Sequence, residues 1–352
     1  MLQIRNKQIT RDGPPFVMAE IGVNHDGSVE IAAQLIAAAH AAGADAVKFQ
    51  LFEADRLLAK QAGLVDYQKT SAESADDLLK PLELSPAQMG PLVRQAQSLG
   101  LAAVVTPFSP ELVSACVDMQ VDAIKLASPD LVNLPLLREA LATNLPLILS
   151  TGAADMREVE TTVEWISESR GGNGLSYTVI LHCVSSYPTP PEAAALGAIT
   201  ALRNRFPSLR IGYSDHTTET FTASMAVAAG ACLLEKHLTL DRTRKGPDHA
   251  ASLEPKQFAE YAHCARFGHQ MRGPIAKIPQ PRELQIRQQT QQSLTTKTDL
   301  SAGTKLTPDM LTVKRPGTGI PAALYDQTIG RMLARAVRAN TILTPDDLEA
   351  QT

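Results

Sequence analysis

The sequence predicts an α/β fold, a (β/α)8 TIM barrel followed by a small, mostly β domain. Three observations carry this. Eight short apolar runs alternate with longer stretches of helical period between Pro15 and Leu238, as repeated βα units around a parallel sheet would. No GxGxxG follows the first run, which counts against an open dinucleotide-binding sheet. From Ser293 onward the pattern changes to short β-type runs that contain an internal repeat.

The eight runs are residues 16–19, 44–47, 102–105, 123–126, 147–149, 178–181, 209–213 and 232–234. Between them, 29–42, 86–99, 156–168 and 218–230 read as helices, several opening at Ser, Thr or Asp and several ending at Gly. The longest connection, 51–83, is polar, and a loop of that length at a strand end is usually functional. A last helix reaches about Met271, closing a catalytic domain over 1–271; the Pro-, Arg- and Gln-rich stretch 272–292 reads as a linker. Within 293–352, Ala302-Gly-Thr-Lys-Leu-Thr-Pro-Asp-Met-Leu311 is matched by Ala339-Asn-Thr-Ile-Leu-Thr-Pro-Asp-Asp-Leu348. A duplication of this size implies internal pseudo-symmetry. Between the copies, Lys314-Arg-Pro-Gly-Thr-Gly319 presents Arg315 on a loop.

Composition narrows the function classes. The chain is 352 residues long, 44% hydrophobic and 20% charged, with a net charge of −4 and no block of Lys and Arg. A nucleic-acid partner is not expected. No apolar stretch approaches the roughly 18 residues of a membrane helix, and residues 1–14 lack an apolar signal region, so no membrane is expected and the cytoplasm is the default. Four cysteines stand far apart without a CxxC, which reads as reduced packing thiols.

In such a barrel chemistry sits at the C-terminal ends of the strands. There the runs give Glu20, Lys48 with Gln50, Thr106, Lys125 with Ser128, Ser150 with Thr151, His182 with Ser185 and Tyr187, Ser214 with His216, and Glu235 with His237. A single one of these is most simply a solvated rim residue, but all eight runs end this way. Two lysines and several hydroxyls on one rim suit a compact anion such as a phosphate. Two histidines without further Cys or carboxylate ligands leave positions open for water and substrate oxygens, as in Mn²⁺- or Mg²⁺-type chemistry. Glu20 and Glu235 remain to move protons.

These residues also carry a resemblance. Glu20-Ile-Gly-Val-Asn-His-Asp-Gly27, Ala46-Val-Lys-Phe-Gln50, Thr106-Pro-Phe108, Leu149-Ser-Thr-Gly152, His182-Cys183, Tyr187-Pro-Thr-Pro190, Ser214-Asp-His-Thr217, Glu235-Lys-His237, Gly246-Pro-Asp-His249 and Lys314-Arg-Pro-Gly317 together resemble the sialic acid synthase family. The likeness covers nearly the whole chain, and the tail resembles the antifreeze-like SAF domain. It implies condensation of phosphoenolpyruvate with an N-acetylated mannosamine-type amino sugar, with phosphate leaving by C–O cleavage and a nine-carbon 2-keto acid (nonulosonic acid) formed. By the same resemblance His216 and His237 hold a divalent metal, Mn²⁺ foremost, with Mg²⁺ or Co²⁺ as alternates. Lys48, Thr106, Lys125, Ser128, Ser150, Ser185 and Ser214 surround phosphoenolpyruvate. Glu20, Gln50, Tyr187 and Asp248 face the open-chain sugar, and Arg315 reaches its N-acetyl group from the partner's SAF domain in a swapped homodimer. Glu235 is the first candidate to activate water at C2, Glu20 the second.

The chain departs from the family pattern at Ser185, where some relatives carry Asn, at Ala153-Ala154, where Met is frequent, and at Gln291-Gln-Ser-Leu-Thr295, where more arginine is expected. Two other functions compete: a Schiff-base aldolase with Lys48 or Lys125 as nucleophile, and a non-catalytic ice- or polysaccharide-binding tail, against whose ice face Lys314 and Arg315 speak.

Overall fold

The fold is taken from a computed structural model, which describes residues 2–59, 74–170 and 174–350. The middle of the long 51–83 connection lies outside the described residues. The chain divides into two units, Met1–Gly273 and Pro274–Thr352.

The first unit opens with an antiparallel hairpin, β1 (Leu2–Ile4) and β2 (Lys7–Ile9), which the polar character of 1–14 had concealed. The clue was short: Leu2, Ile4 and Ile9 are spaced for one face of a hairpin, and all three are fully buried. Eight parallel strands then close a barrel. They are β3 (Phe16–Glu20), β4 (Ala46–Leu51), β5 (Ala102–Pro107), β6 (Ala123–Leu126), β7 (Leu147–Ser150), β8 (Thr178–Cys183), β9 (Arg210–Asp215) and β10 (Leu233–His237), with β10 pairing both β9 and β3. All but β6 run further than their apolar stretches: β3, β4, β5, β7, β8, β9 and β10 continue through the polar residues that end them. Those side chains are therefore held by ladder hydrogen bonds and not by mobile loops.

Helices follow each strand, among them Val29–Ala41, Pro86–Ser98, Met156–Arg170 and Thr222–Ala229. Ser28 caps the first through Ile31 N, and Ser85 with Gln88 forms a capping box ahead of Pro86. The outward face of the sheet and the inward faces of these helices form one apolar core that includes Val47, Phe49, Leu149 and Ile180.

Period-2 alternation sorts the interior into two ends. Phe16, Met18, Ala46, Val104, Ala123, Ile148, Val179, Leu181 and Leu233 pack with Leu2, Ile4 and Ile9 into a separate apolar cluster at the N-terminal end of the strands. The next inward positions are Glu20, Lys48, Lys125, Ser150, Cys183, Ser214 and Glu235, which line a cavity at the other end.

In the second unit, 281–290, within the stretch read as a linker, is a helix. Pro281 starts it and a Gln280–Glu283 capping box secures it, yet none of its residues is buried, so it showed no apolar period. Strands β11 (Ser293–Thr296) and β12 (Leu311–Lys314) pair antiparallel. The repeat folds twice in the same way: buried Leu306 and Leu343 precede short turns at Pro308–Met310 and Pro345–Asp347, and buried Leu311 and Leu348 follow. Among the described residues no helix is long and apolar enough to cross a membrane.

Candidate active site

The cavity at the C-terminal end of the barrel has a volume of about 710 Å³ and lies wholly within the first unit. Its floor is a buried ionic layer. Lys48 on β4 ion-pairs with Glu20 on β3 and sits 3.5 Å from Oε1 of Glu235 on β10. Lys125 on β6 donates to Ser150 Oγ (2.7 Å) and to the Leu126 carbonyl (3.0 Å), with Glu235 Oε2 at 3.7 Å. Ser214 donates to Glu235 Oε1 at 2.9 Å. The two lysines read as part of an anion site are themselves matched by two carboxylates.

The environment pushes the two carboxylates apart. Burial raises Glu20 to about 7; Lys48 opposes the shift and Glu235 adds to it. Burial would also raise Glu235, but Lys125 and Lys48 overcome it and bring this acid to about 2. Burial opposes the charge of Lys48, yet Glu20 and Glu235 outweigh it and its pKa rises. Lys125 moves down, because burial and the neighbouring Lys48 exceed the pull of Glu235. A group near 7 can exchange a proton at neutral pH and one near 2 stays ionised.

Beside this floor lies a hydroxyl-rich wall. Ser128 Oγ accepts from Gly152 N at 3.0 Å and lies 3.5 Å from Cys183 Sγ. A Cβ on Gly152 would come within 2.3 Å of Ser185 Oγ and 2.7 Å of Ser128 Oγ, so only glycine permits this approach. Ser185 also lines the cavity.

The rings of His216 and His237 lie with centroids 5.5 Å apart, and Tyr187 packs tilted against His216 with centroids 4.0 Å apart. The Val184 carbonyl lies 2.7 Å from His216 Nδ1, which assigns the proton of a neutral ring to that nitrogen and leaves Nε2 as the acceptor. Burial works against a charged His216, while Cys183 and the Val184 carbonyl keep it basic. His237 is held well below 6.5 by burial, His216 and Lys48, and is neutral. Its Nδ1 is buried without a hydrogen bond, 3.6 Å from Asp248 Oδ2. Among the described residues no three His, Cys, Asp or Glu side chains form a ligand set. Two neutral-capable imidazoles, one with an orphaned buried nitrogen, fit a cation that keeps its other positions for water and substrate.

The structure also sorts the remaining residues read from the sequence. Gln50 and Asp248 line the cavity, Gln50 donating to the Gly22 carbonyl at 2.9 Å. Thr106 is fully buried with an unpartnered hydroxyl and does not line it. His182 turns away, its Nε2 2.9 Å from the Ala194 carbonyl and its ring stacked on Tyr213, and Thr151 donates to the Leu181 carbonyl. Arg315 is exposed in the second unit, following β12. Cys183, read as a packing thiol, lines the cavity instead; counting every second residue from Val179 would have found it. The outer wall is formed by Val23, Phe52, Leu57, Leu79 and Phe108; Phe52, Leu57 and Leu79 belong to the long connection read as functional, though none of the five was singled out by itself.

Residues 35–277 match the model of the NeuB family, and residues 291–349 that of the SAF domain. The chain is 36% identical to an N,N'-diacetyllegionaminic acid synthase of Legionella pneumophila, covering 95% of each chain. It is 33% identical to an N-acetylneuraminate-9-phosphate synthase of Mus musculus, over 86% of this chain and 83% of that one. A crystal structure of an N-acetylneuraminic acid (sialic acid) synthetase from Leptospira borgpetersenii in complex with citrate matches with a TM-score of 0.71 at 32% identity, covering 78% of this chain and 90% of that one. The chain belongs to the NeuB family, as an enzyme of the synthase type that carries a SAF domain.

Proposed function

We propose that the protein condenses phosphoenolpyruvate with an uncharged, N-acylated mannosamine-type sugar to give a nonulosonic acid and phosphate. The observation that carries this reading is the division of one cavity into an ionic, hydroxyl-lined floor and an apolar outer wall. Phosphoenolpyruvate is small and densely charged and suits the floor. The sugar then takes the outer part, where Phe52 and Phe108 meet edge to face at 6.1 Å beside Val23. Among the described residues lining the cavity the only lysines are Lys48 and Lys125, and no arginine lines it. A second phosphate on the sugar would meet no cation there, whereas acyl methyl groups or a deoxygenated carbon would bury against the wall.

Each residue then has a role. Lys48 and Lys125 bind the anion as point charges, with Glu235 as the fixed counter-charge that keeps both ammonium groups in place. Ser128, Ser150, Ser185 and Ser214 supply directional hydrogen bonds. A divalent cation, Mn²⁺ in the first instance, held by His216 and His237 would supply Lewis acidity at the sugar's aldehyde oxygen. C3 of the enol ester attacks the aldehyde carbon as its C=O π pair moves onto oxygen; water adds at the electron-poor C2, Glu20 takes one of its protons and returns it to the new alkoxide, and the second proton leaves with phosphate as the C–O bond breaks and C2 becomes the keto carbon. Gln50, Tyr187 and Asp248 orient the open-chain sugar. We also propose a swapped homodimer in which Arg315 completes the partner's sugar site. Mixing Arg315→Ala chains with His237→Ala chains would restore activity in about a quarter of sites if so, and in none otherwise.

Phosphate release with a panel of sugars tests the reading. Release is expected with neutral N-acylated mannosamine-type or diacetamido-trideoxy sugars and not with the 6-phosphate; turnover of the 6-phosphate alone would overturn the sugar assignment. One observation favours a second reading: the lowered pKa of Lys125 is what a Schiff-base nucleophile needs. Borohydride with a keto acid would trap an imine on Lys125 in that case and nothing in the first.

A further inference from the structure

Outside the ionic floor, one buried polar cluster has no part in the reaction as described. His249 is 1% exposed and uses both ring nitrogens: Nδ1 lies 2.7 Å from Thr239 Oγ1 and Nε2 3.0 Å from Asp26 Oδ1. The other Asp26 oxygen takes Arg244 at 2.6 Å. The order Thr, His, Asp is that of a nucleophilic triad, but Thr239 is fully buried and does not line the cavity, so its hydroxyl cannot reach a substrate.

What the cluster does is join two loops. Asp26 follows β3, and Thr239, Arg244 and His249 follow β10. Each loop supplies the cavity wall, through Val23 on one side and Pro247 and Asp248 on the other. A second set of bonds runs beneath: Asn24 donates to the Leu238 carbonyl (2.9 Å) and to Ser252 Oγ (2.8 Å), and Ser252 donates to the Asp248 carbonyl (2.6 Å). The backbone wraps tightly over the imidazole, since a Cβ on Gly246 would lie 2.7 Å from His249 Cδ2. Asp248 is thus fixed on both sides, through its own carbonyl and through its neighbour His249.

We propose that His249 is a positioning residue for the sugar: bridging Thr239 and Asp26, it clamps the loop after β10 to the loop after β3 and so sets Asp248 and Val23 at the sugar end of the cavity. This deepens the condensation reading and rests on it for the identity of the ligand, while the clamp itself is a property of the fold. A carboxylate displaced by about 1 Å can cost on the order of 10²-fold in rate, which sets the scale expected when the imidazole is removed.

The test has two arms. In the first, amide hydrogen exchange is followed on unliganded His249→Ala and on Asp26→Ala. Both variants should lose protection in residues 21–28 and 239–253 together, with melting temperature changed little; loss confined to the loop that carries the substitution would overturn the clamp. This arm needs no substrate, so it stands even if the chain turns over none of the sugars tested, an outcome that would sink the functional reading instead. In the second arm, His249→Ala should lower kcat/KM for the sugar about 10²-fold while KM for phosphoenolpyruvate stays unchanged. His249→Gln, which keeps a donor for Asp26, should recover part of the loss. The double variant Asp26→Ala/His249→Ala should be no worse than the poorer single variant, because both act through one contact. Equal losses for both substrates without recovery by glutamine would reduce His249 to a packing residue and refute the proposal.

Discussion

The two ends of the barrel interior are built on the same eight strands, one residue pair apart, and have opposite chemistry. At the N-terminal end Met18, Val104, Ile148, Leu181 and Leu233 pack against the β1–β2 hairpin with no charged group among them. At the C-terminal end the following inward positions hold Glu20, Lys48, Lys125, Ser150, Ser214 and Glu235, equally buried. The apolar end gains stability from every buried methylene. The ionic end desolvates four charges and recovers that cost only through mutual pairing and a few hydroxyls. The chain tolerates the second because the first, together with the surrounding helix–sheet core, holds the strands in register. Stability and chemistry are separated along the barrel axis.

Substitutions at the two ends should therefore fail in different ways. The largest effect is expected at the ionic end: Lys125→Met should lower kcat/KM for phosphoenolpyruvate by about 10³-fold, raising its KM far more than that of the sugar, with the fold retained by circular dichroism. Lys48→Met should act in the same direction. Next, chelation should abolish turnover and added Mn²⁺ restore it, while His237→Ala should bind the cation weakly by calorimetry. Full activity of His237→Ala after exhaustive chelation would remove the metal from the account.

At the apolar end Leu181→Ala should cost about 2–5 kcal/mol of stability in denaturant titrations, with KM values close to those of the unaltered chain. A loss of sugar or phosphoenolpyruvate affinity at unchanged stability would contradict the separation. The smallest effect is a pH dependence. Since Glu20 titrates near 7 in the folded chain against an ordinary 4.5, the folded form binds the proton more tightly than the unfolded one. Its contribution to stability is therefore present at low pH and is lost as pH rises from about 4.5 to about 7. Activity should run the other way, kcat/KM rising through pH 7 as the base ionises. Glu20→Gln should flatten both trends, remaining stable and slow.

The same contrast explains what was legible in the sequence. Apolar runs and helical periods mark the barrel because burial dictates them, and the polar residue that closes each run was readable once strand ends were inspected. What failed was direction. Thr151 and His182 close runs as Ser150 and Cys183 do, but point outward, and run ends alone do not give the inward parity. Cys183 was hidden by its type, since cysteine packs as an apolar residue as readily as it lines a site. The different surroundings of Glu20 and Glu235 were not legible, because which carboxylate meets two lysines is set by strand order and not by sequence distance. The wall at Phe52 and Phe108 was legible only as a long functional loop and a motif end, as an isolated aromatic in a loop reads as ordinary packing. The exposed helix at 281–290 lacked any apolar period for the opposite reason, having no buried face.

The central claim is that the ionic end of the barrel joins phosphoenolpyruvate to a neutral sugar with cleavage of its C–O bond. Phosphoenolpyruvate carrying oxygen-18 in the bridge between C2 and phosphorus tests this most directly, by mass spectrometry of the phosphate released in the presence of an N-acylated mannosamine-type sugar and Mn²⁺. The account predicts that the label leaves with the phosphate and that the new keto acid takes its C2 oxygen from water. Unlabelled phosphate, or no sugar-dependent release of phosphate at all, would contradict it.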